Sequence, residues 1–118
     1  MASYARVLLS GSTSGKPIII AATATPGTTI HAAVAGSAAF DELYLWASNV
    51  TGSAATLTIE WGGVTDPGNL ITKAVSIPAN SPPIPIVTGE VLNGGLTCAA
   101  FSGTASAINI SGYVNRIS

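Results

Sequence analysis

The spacing of apolar and polar residues along this chain is that of β-strands. It is cleanest over residues 56–61, where Leu57, Ile59 and Trp61 fall on one face and Thr56, Thr58 and Glu60 on the other. A two-residue period of this kind marks a half-buried strand. On this reading Trp61 belongs to the core, and Glu60 faces solvent or a neighbouring sheet. Residues 43–49 also alternate, but with bulky side chains on both faces: Leu43 and Leu45 on one, Tyr44 and Trp46 on the other. Either that strand is buried twice, or one face meets a partner.

Further β-rich runs cover residues 4–9, 16–25, 28–34, 70–77, 96–101 and 108–117. Pro26-Gly27, Gly62-Gly63, Asp66-Pro67-Gly68-Asn69 and Asn93-Gly94-Gly95 punctuate them as turns. Residues 78–85 carry Pro78, Pro82, Pro83 and Pro85, and read as a loop that extends into an edge strand at 84–88. The alanines of 31–46 favour helix, but Gly36-Ser37 interrupts them and the alternation resumes, so strand, loop and strand is the expected order. No segment sustains a 3.6-residue period. Eight or nine short strands at even spacing predict an all-β chain: one antiparallel β-sandwich domain over residues 1–118, jelly-roll-like, with an immunoglobulin-like sandwich as the alternative.

Composition narrows the partners. The 118 residues hold four Lys or Arg and five Asp or Glu, 8% charged against the roughly 25% usual in soluble domains. Nucleic acid, which needs clustered cations, is not an expected partner. Ala, Gly, Ser and Thr make up 58 residues. A charge-poor surface of small residues suits a subunit that lies against other protein. Neither uncharged stretch, 17–40 nor 91–115, reads as a membrane span, since both are broken by Gly, Pro or Asn. The run Ile18-Ile19-Ile20 is too short and too β-branched for a secretory leader and reads as strand. Asn49-Val50-Thr51 and Asn109-Ile110-Ser111 are then chance matches to the glycosylation pattern.

Candidate chemistry is thin. Gly11-Ser12-Thr13-Ser14-Gly15-Lys16 lacks the glycine spacing, the following Ser or Thr and the helix of a phosphate-binding loop, and reads as a turn. His31, the single histidine, would have to serve any Ser–His–Asp triad, with Asp41 or Asp66 as orienter. No nucleophile elbow accompanies it, and a strand histidine facing solvent or a subunit interface is the simpler reading. Cys98, the single cysteine, reads as a small buried hydrophobe, and a Cys98–His31 dyad has no further support. No carboxylate pair or ligand cluster suggests a glycosidase, a metal or any other cofactor. Tyr4, Tyr44, Trp46, Trp61 and Tyr113 could form a sugar platform of the lectin kind, although core and interface packing account for them more simply.

Several stretches resemble small virion proteins of tailed bacteriophages. They are Tyr-Ala-Arg-Val-Leu-Leu-Ser-Gly-Ser at 4–12, Ala-Ala-Thr-Ala-Thr-Pro-Gly-Thr-Thr-Ile-His at 21–31, Asp-Glu-Leu-Tyr-Leu-Trp-Ala at 41–47, Leu-Thr-Ile-Glu-Trp-Gly-Gly at 57–63 and Gly-Tyr-Val-Asn-Arg-Ile at 112–117. The resemblance implies a non-enzymatic structural subunit of the virion, most like a capsid decoration (cement) protein. Such a protein is a homo-oligomer, a trimer by preference, bound to the major capsid protein outside the head. A neck, tail or fibre-associated subunit is the nearest alternative, and a lectin-like module the next. Expected contact residues are Tyr4 and Arg6 in the N-terminal arm, Tyr44 and Trp46 on their strand face, and Pro82 and Pro83. Residues 81–85 are more proline-rich than the resemblance implies, so nothing is carried over for that segment.

Overall fold

A computed structural model describes residues 3–118. Nine strands form two antiparallel sheets packed face to face: β1 (Tyr4–Leu8), β2 (Ile18–Ile19), β3 (Thr28–Ala32), β4 (Phe40–Asn49), β5 (Ala55–Trp61), β6 (Leu70–Ile77), β7 (Ser81–Leu92), β8 (Thr97–Ser102) and β9 (Ile108–Ile117). One sheet runs β1-β9-β4-β7, with β2 also paired to β9; the other runs β3-β8-β5-β6.

The pairs are nested. β5–β6 is the innermost, followed outward by β4–β7, β3–β8 and finally β1 and β2 on β9. The chain is one long hairpin rolled so that successive strands alternate between sheets, which is jelly-roll topology. An immunoglobulin-like order needs several pairs of consecutive strands. Here only β5 and β6 are consecutive and paired.

The core follows from alternation. In β4, Asp41, Leu43, Leu45, Ala47 and Asn49 are all buried while the residues between them are half-exposed. Leu57 and Ile59 of β5 meet them from the opposite sheet, with Ile108, Ile110 and Val114 of β9 and Ile20 and Ile30 beside them, all fully enclosed. Each such side chain contributes roughly 1.5–3 kcal/mol relative to exposure. The enclosed core is aliphatic, and Trp61 packs against its margin, half-buried, donating its indole N–H to the Val91 carbonyl at 3.3 Å. The two inward polar residues sit at opposite ends of β4. Asn49 is enclosed and donates to the Ser53 and Ile77 carbonyls at 2.9 and 3.1 Å, so its amide is not open to modification in the folded chain.

Several boundaries differ from expectation: β4 begins at Phe40, three residues before the expected 43, and β7 runs on to Leu92, past the expected 88. The run 16–25 contributes only the two-residue β2, because β1 occupies the rest of the same edge of β9. In the other direction, β7 begins at Ser81 and takes in all three prolines of 82–85. It tolerates them because it is an edge strand with β4 as its single neighbour, so missing N–H groups can face the open side. The ambiguous 31–46 stretch is strand, loop and strand.

Gly112 is where the sheet admits no side chain. It lies opposite Leu45 with φ +153°, and a Cβ there would run into the Tyr44 carbonyl oxygen. Gly112→Ala is expected to cost about 3 kcal/mol, the upper range for overpacking. Chemical denaturation of both forms measures it; an unchanged midpoint would mean that β4 and β9 can separate locally without penalty.

Candidate functional site

The polar face of β4 does not point into empty solvent. Tyr44 lies directly opposite Tyr113 of β9, and their rings stack with centroids 5.1 Å apart and planes 18° apart. Trp46, two residues along β4, approaches the same Tyr113 ring at 6.0 Å with a 30° tilt. From the other side, the Arg6 guanidinium of β1 sits 4.6 Å from the Tyr113 centroid. The order β1-β9-β4 therefore builds a ladder across the outer face of the five-stranded sheet: Arg6, Tyr113, Tyr44 and Trp46. Offset stacking and the cation over a ring face are both favourable contacts, of about 0.5–1.5 kcal/mol each.

Local details keep the ladder upright. β4 and β7 slip register between Leu43 and Tyr44, which leaves Gly89 as an extra residue with φ +99°. A Cβ on Gly89 would stand 3.3 Å from the Tyr44 hydroxyl, so its absence gives that ring room. Tyr44 donates to Glu42 at 3.2 Å. Partial desolvation, with the charge and hydrogen bond of Glu42 added, pushes the Tyr44 hydroxyl above its ordinary pKa, so it remains a donor.

Of the six residues expected at an interface, Arg6, Tyr44 and Trp46 are brought together. Tyr4 extends the same face of β1 and is 74% exposed. Pro82 and Pro83 are exposed but lie at the far end of β7, where Ser81 pairs with Asn49. Tyr113 is the centre of the ladder. Its position two residues before Asn115 in a strand with Ile108, Ile110 and Val114 inward was the available signal.

His31 corrects the expectation of a solvent or interface histidine: it is 1% exposed. The register step between Thr29 and His31 turns it inward. Its Nε2 lies 2.7 Å from Asp41 Oδ2, and its Nδ1 accepts the Ser10 backbone N–H at 3.0 Å. The hydrogen-bond pattern thus assigns the neutral tautomer with the proton on Nε2. Asp41 also receives Arg116 through Nε at 2.7 Å and Nη2 at 2.9 Å, and the Val34 N–H at 3.1 Å. Burial alone would raise the Asp41 pKa, but hydrogen bonds from Arg116 and His31, the Arg116 charge and the Val34 N–H hold it below the ordinary value. Two members of a triad are therefore present in geometry only. The nitrogen that would accept a nucleophile's proton already accepts a backbone N–H, and Ser10 Oγ is bound to the Ala32 N–H at 2.7 Å.

The other candidates are dispersed. Asp66 pairs with Lys73 on the surface at 2.9 Å. Cys98 lies opposite His31 between β8 and β3, but burial pushes its thiol up to about 12, so no thiolate forms near neutrality. The 11–16 segment is a turn closed by the Lys16 N–H to the Thr13 carbonyl. Glu60 corrects a second expectation: it projects from the outer face of its sheet but is 1% exposed, because residues 25–27 cross over it. Among the described residues no group of His, Cys, Asp and Glu could hold a metal ion. No protein-family model, curated protein or solved structure matches this chain.

The lowered Asp41 pKa fixes the sign of an acid effect. Its stabilisation is fully present above the unfolded value near 3.8 and is lost as pH falls through the lower folded value. Asp41→Asn should be about 3 kcal/mol less stable at pH 7, as expected when one partner of a buried pair is removed, and the gap to wild type should narrow near pH 3. Urea unfolding of both proteins at the two pH values measures this. Separately, the Cys98 thiol should fail to react with a disulfide reagent at pH 8 until denaturant is added; prompt reaction in the native protein would show that β3 and β8 open readily.

Proposed function

We propose that this chain is a non-enzymatic structural subunit of a bacteriophage virion. In this reading it decorates the outside of the assembled head, docks on the major capsid protein through the outer face of its five-stranded sheet, and is active as a homo-oligomer, a trimer by preference. The observation that carries the reading is the Arg6–Tyr113–Tyr44–Trp46 ladder on the surface of a chain that is only 8% charged. Tyrosine, tryptophan and arginine are enriched among the residues that carry interface energy: the aromatic rings bury much area with only two torsions to freeze, and the guanidinium adds charge and stacking. The phage-like stretches of the sequence give the class of partner. Three of them, 4–12, 41–47 and 112–117, are the segments that carry the ladder.

A protein partner fits this face better than a sugar. Carbohydrate platforms offer ring faces to the ligand, whereas Tyr44 and Tyr113 turn their faces to each other and Arg6 caps the far side of Tyr113. The ladder runs across three neighbouring strands, which suits a broad contact. An interface of about 800 Å2 per partner is the ordinary size for a specific complex. Several such contacts on one oligomer reinforce one another through effective concentration. A subunit that binds only the assembled lattice then stabilises it by linkage.

Co-sedimentation with undecorated heads from the protein's own source tests the reading. Wild type should saturate at a fixed number of copies per capsid subunit. Arg6→Glu and Trp46→Ala should each weaken binding at least tenfold while leaving the unfolding midpoint within about 1 kcal/mol. A handful of copies per particle would move the protein to the neck or tail. No binding, or binding indifferent to both substitutions, would end the decoration reading through this face.

A further inference from the structure

The outer face of the four-stranded sheet holds a feature that the docking reading does not use. Alternation along β5 sends Leu57 and Ile59 into the core and Glu60 outward. The segment 25–27 then folds flat over it. Gly27 presses so closely on β8 that a Cβ would stand 2.6 Å from the Ala100 backbone. The result is a carboxylate at the side of a cavity of about 340 Å3, within the size range of small-ligand sites. Pro26, Val64 and Leu96 give the cavity apolar walls, and Gly62 and Gly63 expose backbone.

The charge inside is not balanced. Glu60 Oε2 accepts the Thr25 hydroxyl at 2.5 Å and Oε1 accepts the Gly27 N–H at 2.8 Å. Both donors are neutral. Among the described residues Glu60 forms no ion pair, and no other charged side chain lines the cavity. The contrast with Asp41, which is equally enclosed but held by Arg116, is direct. A buried carboxylate without a counter-charge is costly, and two oxygens with two donors still have lone pairs to spare.

We infer that this cavity binds a primary ammonium or guanidinium group on a short apolar stem, the stem against Pro26, Val64 and Leu96 and the cation on Glu60. A lysine or arginine side chain of another protein and a free alkylamine share that chemistry. A divalent cation does not suit the cavity, since a second acid, His or Cys is missing from its lining. The inference is independent of the virion reading, because it concerns the opposite sheet.

Amide NMR on the full chain tests it with four probes: n-butylammonium, N-acetyl-lysine methylamide, N-acetyl-arginine methylamide and the uncharged n-pentanol. Saturable shifts at Gly27, Gly62, Gly63 and Leu96 are expected with the cationic probes, and binding at least tenfold weaker with pentanol. Tighter binding of the blocked amino acids than of butylammonium would support a protein side chain as the source; the reverse order would support a free amine. Glu60→Gln keeps the side-chain shape and should weaken the cations at least tenfold without affecting pentanol. If that variant does not fold, the comparison of butylammonium with pentanol on wild type still decides. Absence of saturable shifts with every cation, equal binding of pentanol, or a stronger response to calcium chloride would overturn the inference.

Discussion

The carboxylate of Asp41 is the point at which the two sheets are tied. It sits on β4 at the end of the core and is bound by Arg116 of β9, in its own sheet, and by His31 of β3 and the Val34 N–H that follows β3, from the other. Hydrophobic contact between sheets is tolerant of small slips; a fully bonded buried ion is not. Placing Arg116 across from Asp41 sets the pairing of β4 with β9, and the same pairing puts Tyr113 across from Tyr44 three residues further along. The outer ladder is thus a consequence of an inner bond. Desolvation offsets much of the attraction in such a network, but loss of any one partner leaves the others buried and unpaired, which penalises arrangements that separate them.

How far the sequence could be read depended on whether a residue's surroundings were local. β6 and β9 are legible to the residue because β-rich runs end there at clear turn and loop signals. Residues 43–49 of β4 are legible too, including the bulk on both faces that Leu43, Tyr44, Leu45 and Trp46 announce, whereas its start at Phe40 is not. The full length of β7 is not legible, because prolines mark a loop unless the strand is known to be an edge, and edge position is a property of the whole sheet. His31 and Glu60 were misplaced for a related reason. Each is buried by something distant in the chain: His31 by Asp41 and the Ser10 N–H, Glu60 by the segment 25–27. Asp41 itself shares parity with Leu43 and Leu45. An acid on the apolar face of a strand is the one hint of the network that was available without coordinates.

The two outer faces divide the surface chemistry. The five-stranded sheet presents a row of aromatic rings with one cation, whereas the four-stranded sheet holds a carboxylate at the side of a cavity beside residues 25–27. Both arise from outward positions of long strands, Tyr44 and Trp46 on β4 and Glu60 on β5, that a two-layer sandwich leaves unused by its core. The edges are managed differently. Pro82, Pro83 and Pro85 blunt β7, which directs any partner of this sheet toward its face and away from that edge.

The nested strand order also decides how the domain would bear mechanical load. Ser3 and Ser118 exchange both backbone hydrogen bonds, at 2.7 and 2.9 Å, so the two ends of the described chain meet in the last rung of the β1–β9 ladder. Tension applied between them meets the rungs one after another, as in a zipper, and never loads them together in shear. Traction spread over the outer sheet face would instead be shared by four strands joined side by side. A fold of this kind yields readily when pulled by its ends and resists when gripped by its surface.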